Sequence, residues 1–165
     1  MKRAVYILAI LLVPTIVLGA VLIISNKPIS PGDARPYFLA GNVYYESGDF
    51  GLAALNYEKA IGLEPDYEEA RANLALTYNR LGAFAEAAAL LEELAMAHPD
   101  SPSYHYDYAV NVVETMRQDN QGTIDEVEDA LAHFRKAEGL SPGYLNSADN
   151  IAFLEDLQSQ YYAKQ

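Results

Sequence analysis

The stretch Tyr37–Pro65, YFLAGNVYYESGDFGLAALNYEKAIGLEP, decides how this chain folds. It reads Tyr37-x2-Ala40-Gly41-x2-Tyr44, then Gly48, then Ala53-x3-Tyr57-x2-Ala60-x4-Pro65. Moved on by 34 residues, the same frame finds Arg71-x2-Leu74-Ala75-x2-Tyr78, Gly82, and Ala87-x3-Leu91-x2-Leu94-x4-Pro99. Another 34 residues on, a third copy opens at His105-x2-Tyr108-Ala109-x2-Val112. Its second half comes late, as Ala130-x3-Phe134-x2-Ala137-x4-Pro142, so this copy carries a nine-residue insertion.

Within each copy the small and apolar residues recur at helical spacing. Gly48-Asp49 and Gly82 interrupt each copy, because a positive φ is cheap only for glycine. Asp66 with Glu69, and Thr123 with Glu126, have capping-box spacing. Ser101-Pro102 puts a cap residue before a first-turn proline. The pattern predicts helices near 34–47, 50–63, 67–80, 84–97, 102–117 and 123–139, and a seventh at about 145–162. Gly41, Ala53, Ala60, Ala75 and Ala87 are read as close helix–helix approaches. Tyr44, Tyr57, Tyr78, Leu91 and Phe134 are read as filling the space beside them. In the seventh helix Ile151, Leu154 and Leu157 are expected inward, with Asn150, Glu155, Asp156 and Gln158 outward.

A 34-residue helix-turn-helix period with this pattern resembles the tetratricopeptide repeat (TPR) family. The resemblance runs from Ala34 to about Gln165. It implies an all-α fold, a TPR-type helical solenoid of three helix pairs plus a C-terminal capping helix; the sequence before it reads as one transmembrane helix. The repeats are placed at about 34–67, 68–101 and 102–144, and the cap at 145–165. The first copy departs from the family only in opening on Tyr rather than Trp. The second has Arg71 and Leu91 at aromatic places, and the third is degenerate. A solenoid end needs a more polar capping element.

The transmembrane reading rests on Ala4–Ile24, 21 residues without a charge. A helix of that length spans about 30 Å, the hydrocarbon thickness of a bilayer. A membrane span tolerates Pro14 and Gly19. A cleaved signal peptide is the alternative, but its apolar core usually runs about 7–15 residues. No small-x-small pattern ends this run at Ser25. Lys2 and Arg3 precede it, and Lys27 and Arg35, partly offset by Asp33, follow it. The positive-inside rule then favours a single-pass protein of the cell membrane, N-terminus cytoplasmic and body extracytoplasmic. The alternative orientation turns the body to the cytoplasm. Residues 25–33 (SNKPISPGD), with two prolines and a glycine, read as a linker between the anchor at 1–24 and a TPR domain at 34–165.

The body is strongly acidic. Four of the 11 basic residues and one of the 23 acidic ones precede Pro36, so the remainder holds seven against 22, a net of −15. Such a surface does not suit nucleic acid. The chain has no cysteine, which excludes disulfides, thiolate metal sites and cysteine nucleophiles. His98, His105 and His133 stand apart in sequence, in no H-x3-H or HExxH arrangement, so no metal is expected. His98 is read as a C-terminal helix residue favoured by the dipole. No nucleophile elbow, dinucleotide fingerprint or phosphate loop is present. Asp119–Gly122 lacks the alternating carboxylates of a calcium loop. The acidic run Asp125–Asp129 suits a helix N-terminus. The expectation is therefore no enzyme, no cofactor and no small-molecule substrate.

Function is expected in a groove. In the resembling family the first helix of each pair lines a concave face. That implies exposed inner residues at Phe38, Asn42 and Tyr45, then Ala72, Asn73, Leu76 and Asn79, then Tyr106, Asp107 and Val110. The peptide-binding candidates are Phe38, Asn42, Tyr45, Asn73, Asn79 and Tyr106. An asparagine can bond an extended backbone through its carbonyl and its amide, and tyrosine offers broad contact area. Asn42 and Asn73 stand where chaperone-tail-binding TPR domains carry two asparagines. The three basic clamp places of those domains hold Phe38, Ser103 and Asp107 instead. The implied groove suits a neutral or basic protein segment rather than a carboxylate tail. The bland alternative is that these residues are merely solvated and a partner binds elsewhere. Tyr44, Tyr57 and Tyr78 are assigned to the core. The resemblance is to small anchored TPR adaptors that serve secretion, envelope assembly or maturation. A structural subunit packed permanently into a larger membrane complex is the alternative.

Overall fold

Pro36 lies in the first turn of helix α1 (Arg35–Ser47), where its missing N–H has no partner to lose. The computed structural model describes residues 32–164. The expected membrane span at 4–24, and the linker up to residue 31, lie outside the described residues. Among the described residues no helix is long and apolar enough to cross a membrane.

After α1 come α2 (Phe50–Leu63), α3 (Glu68–Leu81), α4 (Phe84–Ala97), α5 (Pro102–Asp119), α6 (Ile124–Leu140) and α7 (Ser147–Tyr162). Every boundary lies within two residues of the sequence expectation. The fold is an all-α, TPR-like solenoid, seven helices among the described residues. Each helix packs against the next in chain order.

The repeat is visible in how the helices stop. Gly48 has φ 82° and Gly82 φ 75°. The Gly48 N–H donates to the Tyr45 carbonyl, and the Asp49 N–H to that of Tyr44. Gly82 and Ala83 do the same to Asn79 and Tyr78. These are paired Schellman bonds, and they satisfy carbonyls that the helix leaves open. The second helices stop differently, and alike. Glu64, His98 and Ser141 each donate a final N–H to Ala60, Leu94 and Ala137. A proline follows each of them and blocks continuation. The insertion lengthens α5 to Asp119, and Asn120 takes a left-handed conformation at φ 52°.

Two of the expected caps differ. Thr123 and Glu126 form the capping box, but Asp66 and Glu69 do not. Helix α3 is capped at Tyr67 without a side-chain bond. The Tyr67 N–H closes a turn onto the Glu64 carbonyl, and its ring lies 4.9 Å from that of Phe38. Aromatic packing therefore fixes the helix start one residue past Asp66. Ser101 does occupy the cap position before Pro102, but its hydroxyl meets Ser103 instead of a backbone N–H.

The core is a chain of alanine contacts with large side chains between them. Ala53, Ala60, Ala70, Ala75, Ala87, Ala109, Ala130 and Ala137 are wholly buried, and so in effect are Tyr57 and Phe134. Tyr44 and Tyr78, expected as core, are half-buried. The Tyr78 hydroxyl reaches out to Glu58 at 2.8 Å. In α7 Leu154 is wholly buried, but Leu157 stays 37% exposed. Asn150, expected outward, turns in and donates to the Tyr106 hydroxyl at 3.4 Å. The end helix thus covers the last repeat with Leu154 and leaves Phe153, Leu157, Tyr161 and Tyr162 on the surface.

Gly41 is a close approach of a particular kind. A Cβ there would stand 2.5 Å from Tyr57 Cε1. Tyr57 is 1% exposed and has little room to move. Gly41→Ala is expected to lower the unfolding free energy by about 1–3 kcal/mol through overpacking. Adding Tyr57→Leu should recover part of that loss. Urea unfolding of the single and double variants checks both outcomes.

Candidate functional site

The first helices of the pairs form one face of the solenoid. Helix α1 touches α3 directly on this face. Side-chain bonds then link them in sequence. Asn73 Nδ2 on α3 donates to Asn42 Oδ1 on α1 at 2.9 Å. Asn79 Nδ2 on α3 donates to Asn111 Oδ1 on α5 at 2.9 Å. Asn150 on α7 reaches Tyr106 on α5.

Asn42 is the anchor of the first rung. Its Oδ1 also accepts the Tyr57 hydroxyl at 2.7 Å. Burial pushes the Tyr57 phenol up to about 12, with the nearby Asn73 amide opposing it, so it remains a neutral donor. Among the described residues Asn42 Nδ2 and Asn73 Oδ1 take no hydrogen bond. That leaves one donor and one acceptor, the pair an extended peptide backbone requires. Beside them lies a pocket of about 250 Å³ lined by Asn42, Tyr45, Glu46, Tyr57, Asn73 and Leu76.

The structure therefore gathers three of the six sequence candidates, Asn42, Tyr45 and Asn73, at one pocket. Asn79 sits on the next rung. Phe38 and Tyr106 lie apart from that pocket and pack on core rings. Phe38 is 6.0 Å from Tyr57 and 4.9 Å from Tyr67. Tyr106 is 5.4 Å from Phe134 and 5.6 Å from Tyr144. Tyr45 stands edge-on to Phe50 at 5.3 Å, and its hydroxyl accepts from Arg80 at 3.4 Å. The expectation that the ten inner residues are exposed is corrected: only Leu76 is, and the other nine are half-buried. The asparagines are drawn out of water by bonds to neighbouring helices, while Phe38, Ala72 and Val110 pack against the core.

Sequence reasoning missed Asn111, which is 3% exposed and donates to the Asp107 carbonyl at 2.7 Å. A mid-helix asparagine reads as a surface residue. Only its offset of 32 from Asn79, close to the repeat period, signals a partner.

The histidines also meet. His105 Nε2 lies 3.1 Å from the Pro99 carbonyl, and His105 Nδ1 lies 3.1 Å from His133 Nδ1. A carbonyl only accepts, so His105 Nε2 carries a proton, and the two Nδ1 atoms share one further bond whose donor depends on the tautomers. Burial lowers the His133 pKa, which favours the neutral form of that ring. The pair joins α5 to α6 and holds the third repeat closed. His98 does end α4, and it pairs with Glu68 at 2.9 Å. Among the described residues no group of three or more His, Cys, Asp or Glu is placed to hold a metal ion.

Asp107 is a half-buried charged group of this face, whereas Glu46 at the pocket is exposed. Burial pushes its carboxyl up to about 6. It has no ion-pair or hydrogen-bond partner for its side chain among the described residues.

Residues 44–110 match the family model described as tetratricopeptide repeat. The first TPR of Spaghetti (RPAP3), bound to HSP90 peptide SRMEEVD, superposes with a TM-score of 0.65 at 16% identity, over 79% of this chain and 97% of that one. MamA from Desulfovibrio magneticus RS-1 gives 0.66 at 17% identity, over 81% and 71%. The Arabidopsis OM64 TPR domain gives 0.62 at 19% identity, over 74% and 94%. No curated protein matches the chain. The family model covers residues 44–110 of the helical body, and these solved structures share its fold.

The Asp107 carboxyl has a clear stability consequence. Its folded pKa of about 6 lies above the ordinary 3.8, so the folded state holds the proton more tightly. The ionised form opposes folding, a penalty absent below about pH 4 and complete above about pH 6. Asp107→Asn should raise stability at pH 8 by about 2–3 kcal/mol, because each tenfold change in proton affinity is worth roughly 1.4 kcal/mol. That gain should shrink to nothing near pH 4. Urea midpoints at both pH values test the sign.

Proposed function

We propose that this chain is a non-catalytic adaptor that takes a neutral or basic segment of a protein partner along the inner face of its helix stack. The observation that carries this is the pocket at Asn42, Tyr45 and Asn73. It presents an amide donor, an amide acceptor and an aromatic edge beside exposed Leu76. Fold neighbours support it: one is a TPR domain holding an HSP90 peptide. Repeats of this kind generally serve as scaffolds. Phe38, Asn79 and Tyr106 belong to the proposed contact as flanking residues that set its floor.

The proposal includes tethering through residues 4–24, with the N-terminus in the cytoplasm and the repeats outside it, in secretion, assembly or maturation. The 21-residue uncharged run and the basic residues before it support this part. A second reading, permanent packing as a subunit of a larger membrane complex, is favoured by the uncovered Phe153, Leu157, Tyr161 and Tyr162 on α7. Co-purification from detergent separates the two: fixed stoichiometry favours the subunit, and weak reversible capture favours the adaptor.

With the partner in hand, Tyr45→Ala should weaken binding by roughly 5- to 30-fold, the 1–2 kcal/mol of a central interface residue. Unchanged affinity would remove the groove reading. For topology, protease added to intact spheroplasts is expected to digest the helical body. Survival of the body with its N-terminal segment intact would place it in the cytoplasm.

A further inference from the structure

We infer that Asp107 reads charge in this groove, by receiving the side-chain cation of a lysine or arginine in the bound segment. The inference rests on the groove reading and adds the identity of one contact.

The repeat itself makes the case. The Asn42–Asn73 bond joins α1 to α3. Moved on by one period of 34, the same two places are held by Leu76 on α3 and Asp107 on α5. Where the first rung has two amides that satisfy each other, the second has an aliphatic side chain and a carboxylate. Leucine has no donor to offer. The rung that does join α3 to α5 uses Asn79 and Asn111 instead, further along both helices. Asn111 donates its second bond to the Asp107 backbone carbonyl, not to its carboxylate.

Several other carboxylates of the body are provided for, and Glu46, which lines the pocket, is exposed to water. Glu58, Glu68 and Asp129 accept tyrosine hydroxyls, and Glu93 and Glu155 pair with arginines. Asp107 is half-buried and receives neither kind of donor among the described residues. A half-desolvated, unpaired carboxylate costs stability. The repeat register puts Asp107 one period on from Asn73, which lines the pocket, and a group that costs stability in the free protein at such a place is one a ligand can compensate. The compensation Asp107 needs is a positive charge with N–H donors, which a lysine or arginine head supplies. An acidic tail would meet like charge there, and a hydroxyl would satisfy the bond without cancelling the charge. Leu76, 45% exposed, can receive the aliphatic stem of that side chain.

The experiment pans a random dodecapeptide display library, with blocked termini, on the immobilised full chain. Wild type should enrich peptides with Lys or Arg at one position. Asp107→Asn should retain peptides but lose that enrichment, and Asp107→Lys should turn it to Asp or Glu. Asp66→Asn, an exposed charge in a turn, should leave the selection unchanged. For a selected peptide, Lys→Ala should weaken binding to wild type about tenfold, and to Asp107→Asn less than about twofold. Two failures are distinguishable. If enrichment is the same in Asp107→Asn while Tyr45→Ala abolishes capture, the groove stands and the charge contact is overturned. If wild type retains no peptides, or retains them regardless of Tyr45→Ala, the groove reading falls and the inference with it.

Discussion

The missing side chain of Gly41 is the constraint on which the inner face depends. It lets the Tyr57 ring lie against the α1 backbone, where a Cβ would meet it at 2.5 Å. Once seated there, the Tyr57 hydroxyl reaches Asn42 at 2.7 Å and occupies its carbonyl oxygen together with Asn73. A buried tyrosine needs a partner for its hydroxyl. Here that need fixes the rotamer of a residue on the inner face. The core contact between α1 and α2 and the orientation of the groove amides are therefore one structural event. A larger residue at position 41 moves the ring, and moving the ring frees Asn42.

Much of the fold was legible because the signals repeat. A single glycine after an apolar run is weak information. Gly48 and Gly82, one period apart with the same flanks, define two turns and set the register of everything between them. The proline after each second helix works the same way. Legibility failed where one local signal met tertiary packing. Asp66 and Glu69 have the spacing of a capping box, yet Tyr67 is held by Phe38 and the helix starts where that ring allows. A cap bond is worth about 1 kcal/mol, less than burying an aromatic ring. Thr123 had no such competitor, and its box formed.

The candidate site was legible in its positions and not in its state. Helical periodicity told which residues share the inner face, but not how closely adjacent repeats approach. That distance decides whether an asparagine is solvated or bonded to its counterpart. The ladder of Asn42, Asn73, Asn79 and Asn111 follows from it, as does the meeting of His105 and His133, 28 residues apart on different helices. Pre-bonded amides would lose little freedom on meeting a ligand, so half-burial does not count against the proposed groove.

An acidic body with few cations must still satisfy its carboxylates, and this one uses tyrosines. Glu58, Glu68, Asp129 and Glu128 accept the hydroxyls of Tyr78, Tyr104, Tyr108 and Tyr162 at 2.5–2.8 Å. Burial, and then the carboxylate bond, push the Tyr78 and Tyr104 phenols up to about 12, so they stay protonated donors at any physiological pH. The chemical difference from an arginine is decisive. A guanidinium fills the lone pairs of a carboxylate and also cancels its charge; a phenol fills the lone pairs and leaves the charge in place. Bonds of this kind order helix–helix contacts while the body keeps its net −15. The field that results reaches roughly 8 Å into physiological saline. Within that distance it draws cationic segments toward the protein and turns acidic ones away. In the proposed groove, that field would bias the encounter before any side chain touched a segment, and the half-buried carboxylate of Asp107 would be the place where the bias becomes a single contact.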